Sequence, residues 1–463
     1  MNQPVSEQPA GQTSPCEAAA YPSARYGWYV VGILTLAYVF SFIDRQILSL
    51  LVGPIQRDLD ITEKQMSLLM GASFAVFYTL FGIPLGRLAD SWSRRWLVVL
   101  GIAFWSLMTA GCGLTRKFGQ LALARIGVGV GEASLSPAAY SLIADYFPPE
   151  GRSTALAVYG MGIYIGSGLA LILGALVVQF ASGQENFVLP LAGAVRSWQV
   201  VFFVVGLPGL LVALLVLTVR EPARRGVRPN GAGDSATPSV PLGEVWVYLR
   251  GNRRTFSCLF FGIAIAALSA YGALTWIPTF FIRRHGWTVG DTGLVVGLIV
   301  GVCGTVGILT AGRLADRLRR RGQSDANLRV ALLGVAGCIP FSALFPLVSS
   351  GGMAALLLAP LFFFSSMPFG LAPAAIQQLM PNTMRGQASA LYLFVVNLIG
   401  LGLGPTVVAT LTEDVFRDKN AVHLSLLIVS VGGYVCAVVL LWGGLKHYGR
   451  SLEYLNEWTK AHE

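Results

Sequence analysis

The sequence predicts an all-α membrane protein with twelve transmembrane helices in two pseudo-symmetric six-helix bundles. Three observations lead there. Only 12% of the 463 residues are charged and 54% are hydrophobic, whereas soluble proteins carry about 25% charged residues. Apolar runs of about 20 residues, long enough to cross a bilayer as helices, recur along the whole chain. A short motif also repeats at equivalent places in the two halves.

The runs fall at about 27–52, 64–88, 96–114, 118–145, 154–179, 197–219, 255–282, 289–312, 329–348, 352–379, 386–411 and 421–445. A Gly-, Pro- and Arg-rich segment from Arg220 to Val240 separates six from six. The predicted organisation is a disordered cytoplasmic tail (1–26), a first bundle (27–220), a cytoplasmic linker (221–254), a second bundle (255–447) and a cytoplasmic tail (448–463). Residues 1–26 show neither the basic n-region nor the cleavage site of a signal peptide.

The net charge of +10 is distributed as a topology signal. With residue 1 inside, Lys and Arg number 22 on inner segments and 9 on outer ones, which predicts that both termini are cytoplasmic. This placement accounts for the basic balance without nucleic acid. The six cysteines form no CxxC pair and the four histidines no metal-binding pattern. No nucleotide loop or nucleophile–base pair appears, so the sequence predicts no cofactor, no metal and no enzyme. Gly129-Val-Gly131 lies inside an apolar run, not after a strand, which excludes a dinucleotide loop.

Repetition orders the two halves. Gly86-Arg-Leu-Ala-Asp90 recurs as Gly312-Arg-Leu-Ala-Asp316, with Arg94-Arg95 at the offset of Arg320-Arg321. Pro148 to Arg152 likewise matches Pro381 to Arg385. Parallel repeats of this kind are a transporter design with the substrate site between halves. The loop motif GRLADSWSRR resembles that of the major facilitator superfamily, and the resemblance covers about residues 27–447. It implies that Gly86 and Gly312 allow close helix packing. It also implies that Asp90, Arg94, Arg95, Arg152, Asp316, Arg320, Arg321 and Arg385 belong to a cytoplasmic gate. Leu121 to Ala133 is similar to the family's fourth-helix motif. SFIDRQ and ARIGVGVGEASLSPAAYSLIADYFPPEGR together resemble the Spinster branch, which implies lysophospholipid- or sphingolipid-like substrates.

Four charges stand inside the runs: Asp44 and Arg45 on the first, Arg125 and Glu132 on the fourth. Intramembrane charges are costly and mark functional sites by default. Asp44 and Arg45 point about 100° apart, and Arg125 and Glu132 share one face about 10.5 Å apart along the axis. The expectation is that Asp44 pairs with Arg125, leaving Glu132 to exchange a proton, although which acid titrates stays open. Fixing helix packing is the competing role for all four.

The middles of the second-half spans lack charge. Their polar groups are Tyr271, Thr275, Trp276, Gln377, Gln378, Tyr392 and Asn397. A charged wall facing an aromatic one suits an amphipathic solute, with Arg45 and Arg125 holding an anionic head and Glu132, Tyr271, Trp276, Tyr392 and Asn397 lining the site. The expected protein is thus a monomeric, multi-pass transporter of a bacterial inner membrane, in contact with membrane lipids and working by alternating access with protons. An organic-anion/proton symporter is the rival reading, with a ligand sensor or a membrane lipid enzyme as alternatives from other classes.

Overall fold

The structure, a computed structural model, describes residues 21–181, 186–189, 193–222, 241–381 and 384–462. Eleven helical stretches among them are long and apolar enough to cross a membrane. The fourth run completes twelve, but it is split into Phe118–Glu132 and Leu135–Tyr146. The chain is a multi-pass integral membrane protein.

Local chemistry sets the helix ends. Thr62 and Gln65 form a reciprocal capping box that opens the second span. Ser93, Thr288 and Ser350 cap the third, eighth and tenth spans (Arg94–Cys112, Val289–Arg320, Gly351–Leu379), each side chain accepting a first-turn N–H. Gly286, at φ 66°, closes the seventh span Arg253–His285 in the left-handed region that glycine enters without strain.

Several elements differ from expectation. Between the fifth span (Pro149–Ala181) and the sixth (Ser197–Gly206 continued by Pro208–Val216), Asn186–Leu189 pairs antiparallel with Gly193–Arg196. The linker region contributes a helix, Leu242–Gly251, while residues 223–240 lie outside the described residues. The twelfth span runs without interruption from Val422 to His462, so the expected tail is largely helix. It packs back on the linker helix, where Tyr248 meets Tyr454 and Trp458 at 5.4 and 5.2 Å.

The two halves meet unevenly. At the end away from the chain termini, here the far end, one continuous apolar core includes Ile47, Leu51, Leu69, Leu171 and Trp198 of the first half with Ile277, Phe280 and Val296 of the second. Toward the terminal end the cores divide: Val31, Leu97, Leu142 and Val219 belong to a cluster that draws on the second half through Leu401, Ala311, Val330 and Leu371 to a small second-half one, while the shared core continues within the second half to Met380 and Tyr448.

The fifth and eighth spans cross backbone to backbone. A Cβ on Gly168 would sit 2.5 Å from the Gly297 carbonyl oxygen, and one on Gly297 would sit 2.6 Å from that of Gly168. Between lipid-embedded helices, small residues give this close van der Waals contact its strength. Gly168→Val should force the spans apart, at an overpacking cost of about 1–3 kcal/mol. The check is the thermal unfolding midpoint in nanodiscs, which should fall.

Candidate functional site: a buried charge pocket between the first and fourth spans

The first span, Ala24–Gln46, tightens into a 3-10 turn at Ile47–Leu50, and the second breaks at Gly71 between Glu63–Met70 and Ala72–Ser91. Glycines draw the fourth span onto its neighbours. A Cβ on Gly129 would lie 2.7 Å from the Phe74 carbonyl oxygen, and one on Gly131 2.8 Å from the Trp105 side chain. This close approach brings Glu132, at the split in the fourth span, against the first.

There Arg45 Nε donates to Glu132 Oε2 at 2.6 Å, and the Ser41 hydroxyl donates to the same oxygen. The guanidinium of Arg45 lies 4.6 Å from the ring centroids of Phe42 and Phe74 and 4.7 Å from that of Tyr78. Electron-rich ring faces stabilise a cation at such distances, the more so when water is excluded. The Arg45 side chain is 8% exposed and that of Glu132 0%.

Asp44 points elsewhere. Thr109 of the third span donates to its Oδ2 at 3.1 Å, while Oδ1 is buried with no hydrogen-bond partner. Arg125 donates from Nη1 to the Asp44 backbone carbonyl at 3.0 Å and from Nε to the Leu69 carbonyl at 3.5 Å. Both acceptors adjoin helix interruptions, at Ile47 and Gly71. The expected Asp44–Arg125 carboxylate pair is therefore not formed. The ion pair joins Arg45 to Glu132, because the roughly 100° between adjacent side chains sends Arg45 toward the fourth span and Asp44 toward the third. All four charges nonetheless share one buried region, as the sequence predicted.

The second-half candidates divide. Trp276 is buried and donates to the Pro405 carbonyl at 3.0 Å, so it braces its own bundle and does not line a site in this state. Tyr392 is buried against Phe260, 5.8 Å away, and Thr275 is buried too. Gln378 donates to the Ser324 carbonyl and accepts from Tyr448, a bracing role. Tyr271 is half-buried and borders both cores. Asn397, also half-buried, opens a π-helical turn, Asn397–Leu403, in the eleventh span. Such turns recur at functional sites.

Sequence reading missed the tyrosines of the first half. Tyr38 stacks on Tyr159 at 4.4 Å, and Tyr140 meets Tyr159 edge-on at 5.5 Å while remaining 42% exposed. The available signal was tyrosine recurring inside apolar spans. It also missed Ser41 and Thr109, which neutral hydropathy hides.

The contacts given for Arg94 and Arg95 of the loop motif stay within the first half. Arg94 is buried and pairs with Asp145, at the end of the fourth span, and with Glu221 at 2.7 Å. Arg95 donates its backbone N–H to Glu221 at 2.9 Å. The side chains of Asp90 and Arg152 lie outside the described residues. Asp316, Arg320 and Arg321 are exposed, and among the described residues none of them takes part in an ion pair. Arg385 is exposed and donates to the Met380 carbonyl at 3.2 Å. A Cβ on Gly86 would come no closer than 3.9 Å to Pro137, and one on Gly312 would meet nothing within 4 Å, so neither marks a tight crossing here.

Ion pairs between halves lie at the far end instead. Arg283 of the seventh span donates to Glu63 at 2.7 Å and to Gln56 at 3.2 Å. Lys64 pairs with Asp414 at 2.6 Å, and its backbone N–H reaches Glu413 at 3.0 Å. With the shared core beneath them, these contacts seal the far end, whereas among the described residues no ion pair joins the halves at the terminal end.

Two helical bundles that share a core at one end, part at the other and bury charge in the membrane define a transporter. Residues 34–405 match the sequence profile described as Major Facilitator Superfamily, and the chain belongs to that family. It is 30% identical to an MFS-type efflux pump of Mycolicibacterium smegmatis, covering 92% of this chain and 95% of that one. It is 28% identical to protein spinster homolog 1 of Bos taurus, covering 98% and 86%. The crystal structure of a bacterial homolog of the human lysosomal transporter Spinster, inward-facing and unoccupied, matches with a TM-score of 0.69 at 27% identity over 94% of this chain and 99% of that one. The chain is thus a transporter of the superfamily, similar in sequence and fold to Spinster proteins.

Removing either member of a buried ion pair leaves the other uncompensated, a loss of about 3–5 kcal/mol, whereas replacing both by apolar groups costs far less. Glu132→Ala and Arg45→Met should each lower the unfolding midpoint, and the double variant should recover most of it. Glu221 lies outside the spans. Burial works against its charge, but the Arg95 N–H and the Arg94 and Ser93 side chains outweigh it and hold the carboxyl below its usual range. A depressed folded value stabilises the fold above the ordinary Glu value of about 4.3 and is lost as pH falls through the folded one. Glu221→Gln should therefore be less stable than the wild type at pH 7, with the two melting curves converging in acid.

Proposed function

We propose that this protein is a proton-coupled secondary transporter of an amphipathic, anionic, lipid-like solute, of the lysophospholipid or sphingolipid kind, working by alternating access. The observation that carries the reading is the Arg45–Glu132 pair, buried beside Asp44 at the split in the fourth span. An intramembrane carboxylate facing one cation can exchange partners. Protonation of Glu132 removes its claim on Arg45, and a buried guanidinium without an anion is unstable. A phosphate or carboxylate head would then replace Glu132 as partner, a geometry suited to arginine. Loss of the proton restores the internal pair and expels the head. Solute and proton are coupled because Arg45 accepts one anionic partner at a time.

The aliphatic part of the solute suits the tyrosine-rich first-half surface and the weakly polar second-half wall with Tyr271 and Asn397. Arg125, engaged with two backbone carbonyls, is better suited to holding the first, second and fourth spans together than to binding the head. The excess of Lys and Arg at the terminal end supports a cytoplasmic position for both termini. On that reading the membrane is the bacterial inner membrane and the parted end opens to the cytoplasm. The repeated GRLAD motifs would close that end in the opposite state, when their charges bridge the halves. A monomer contains the complete site.

Proteoliposomes holding the purified protein, challenged with lysophospholipids and with short organic anions, should accumulate a lysophospholipid when a pH gradient is imposed. Glu132→Gln should bind solute but lose the dependence on the gradient. Transport of organic anions alone would favour the symporter alternative. Unchanged gradient dependence in Glu132→Gln would remove the coupling mechanism.

A further inference from the structure

An open depression lies at the terminal end of the second half, on its outer surface. The seventh and twelfth spans leave a hollow of about 320 Å³ between them, lined by Arg253, Arg254, Ser257, Cys258, Gly443 and His447. Both arginines are exposed, and among the described residues neither has an ion-pair partner. Arg253 also opens the seventh helix, whose Asn252 cap makes no side-chain bond, so first-turn N–H groups add to the positive field.

The surface above the hollow is apolar. Phe261 and Val439 are 47 and 65% exposed, on the same helix faces as the lining residues, and Trp442, on the adjoining face of the twelfth span, is 57% exposed. Just before the seventh span, the helix Leu242–Gly251 exposes Trp246 and Val247, at 62 and 57%, next to Arg250. A short helix with exposed Trp and a terminal Arg suits the headgroup level of a bilayer. The arginine pair therefore stands where phosphates lie, with apolar surface running from it toward the bilayer centre.

We propose that this hollow binds an anionic phospholipid from the leaflet at the terminal end. Its phosphate lies against Arg253 and Arg254, its glycerol fits in the space left by the small Gly443 and Cys258, and its acyl chains lie along Phe261, Val439 and Trp442. Basic pockets between spans commonly hold anionic headgroups, and the continuous apolar path selects a lipid over a free phosphate. This site stands apart from the Arg45–Glu132 pocket and does not depend on what that pocket carries.

The test is native mass spectrometry of the full chain, released from phosphatidylcholine nanodiscs doped with phosphatidylglycerol. Phosphatidylglycerol should be retained in preference to phosphatidylcholine. Arg253→Gln with Arg254→Gln should weaken its retention by about tenfold or more, with the unfolding midpoint in pure phosphatidylcholine unchanged. Should the double variant fold poorly, Gly443→Leu decides. A Cβ there meets only Cys258 Sγ at 3.6 Å, so the substitution fills the hollow without changing charge, and it should weaken retention as well. Equal retention of the two lipids, wild-type retention in folded variants, or displacement of phosphatidylglycerol by equimolar glycerol phosphate would each overturn the assignment.

Discussion

The buried pair between Arg45 and Glu132 is the interaction around which the first half is arranged. An isolated charge in a lipid-embedded bundle is unstable, so each of these groups requires the other within reach. The requirement extends outward. Gly129 and Gly131 let the fourth span press against the second and third, the split at Ala133 and Ser134 follows Glu132, and Phe42, Phe74 and Tyr78 close around the guanidinium. Ser41 supplies a second donor to the carboxylate. Asp44 and Arg125 complete the set without joining each other, since Arg125 satisfies carbonyls beside helix interruptions.

A second asymmetry gives this arrangement its use. The halves are joined at the far end by ion pairs, a shared apolar core and the Gly168–Gly297 crossing, and parted at the terminal end. Arg94, a residue of the repeated loop motif, is held there within its own half by Asp145 and Glu221. Contacts that tie the halves at one end and leave them free at the other allow them to rock about the middle, where the charge pocket lies. In the proposed transport cycle, an arginine in that pocket exchanges anionic partners more easily than it loses one. The charge-free spans of the second half present a surface with mild polarity, broken by the π-helical turn at Asn397.

Hydropathy and repetition made the twelve spans, the two halves and the four intramembrane charges legible in the sequence, because the bilayer requires long apolar helices and penalises every charge within them. The membership of the pocket was legible for the same reason. Its wiring was not. Which carboxylate meets which arginine depends on side-chain directions and on where helices tighten or break, and the change at Ile47 and the break at Gly71 leave no mark in average hydropathy. The same applies to Trp276, whose indole turns to the Pro405 carbonyl and not to a cavity, and to Glu63, Arg283, Lys64 and Asp414, which read as ordinary charges at span ends. The sequence alone therefore determined the class of protein, its halves and its costly residues, since these follow from the solvent the chain must cross. Only the tertiary structure decided the Arg45–Glu132 pairing and which end of the molecule is sealed, because both depend on how separate helices are rotated and set against one another.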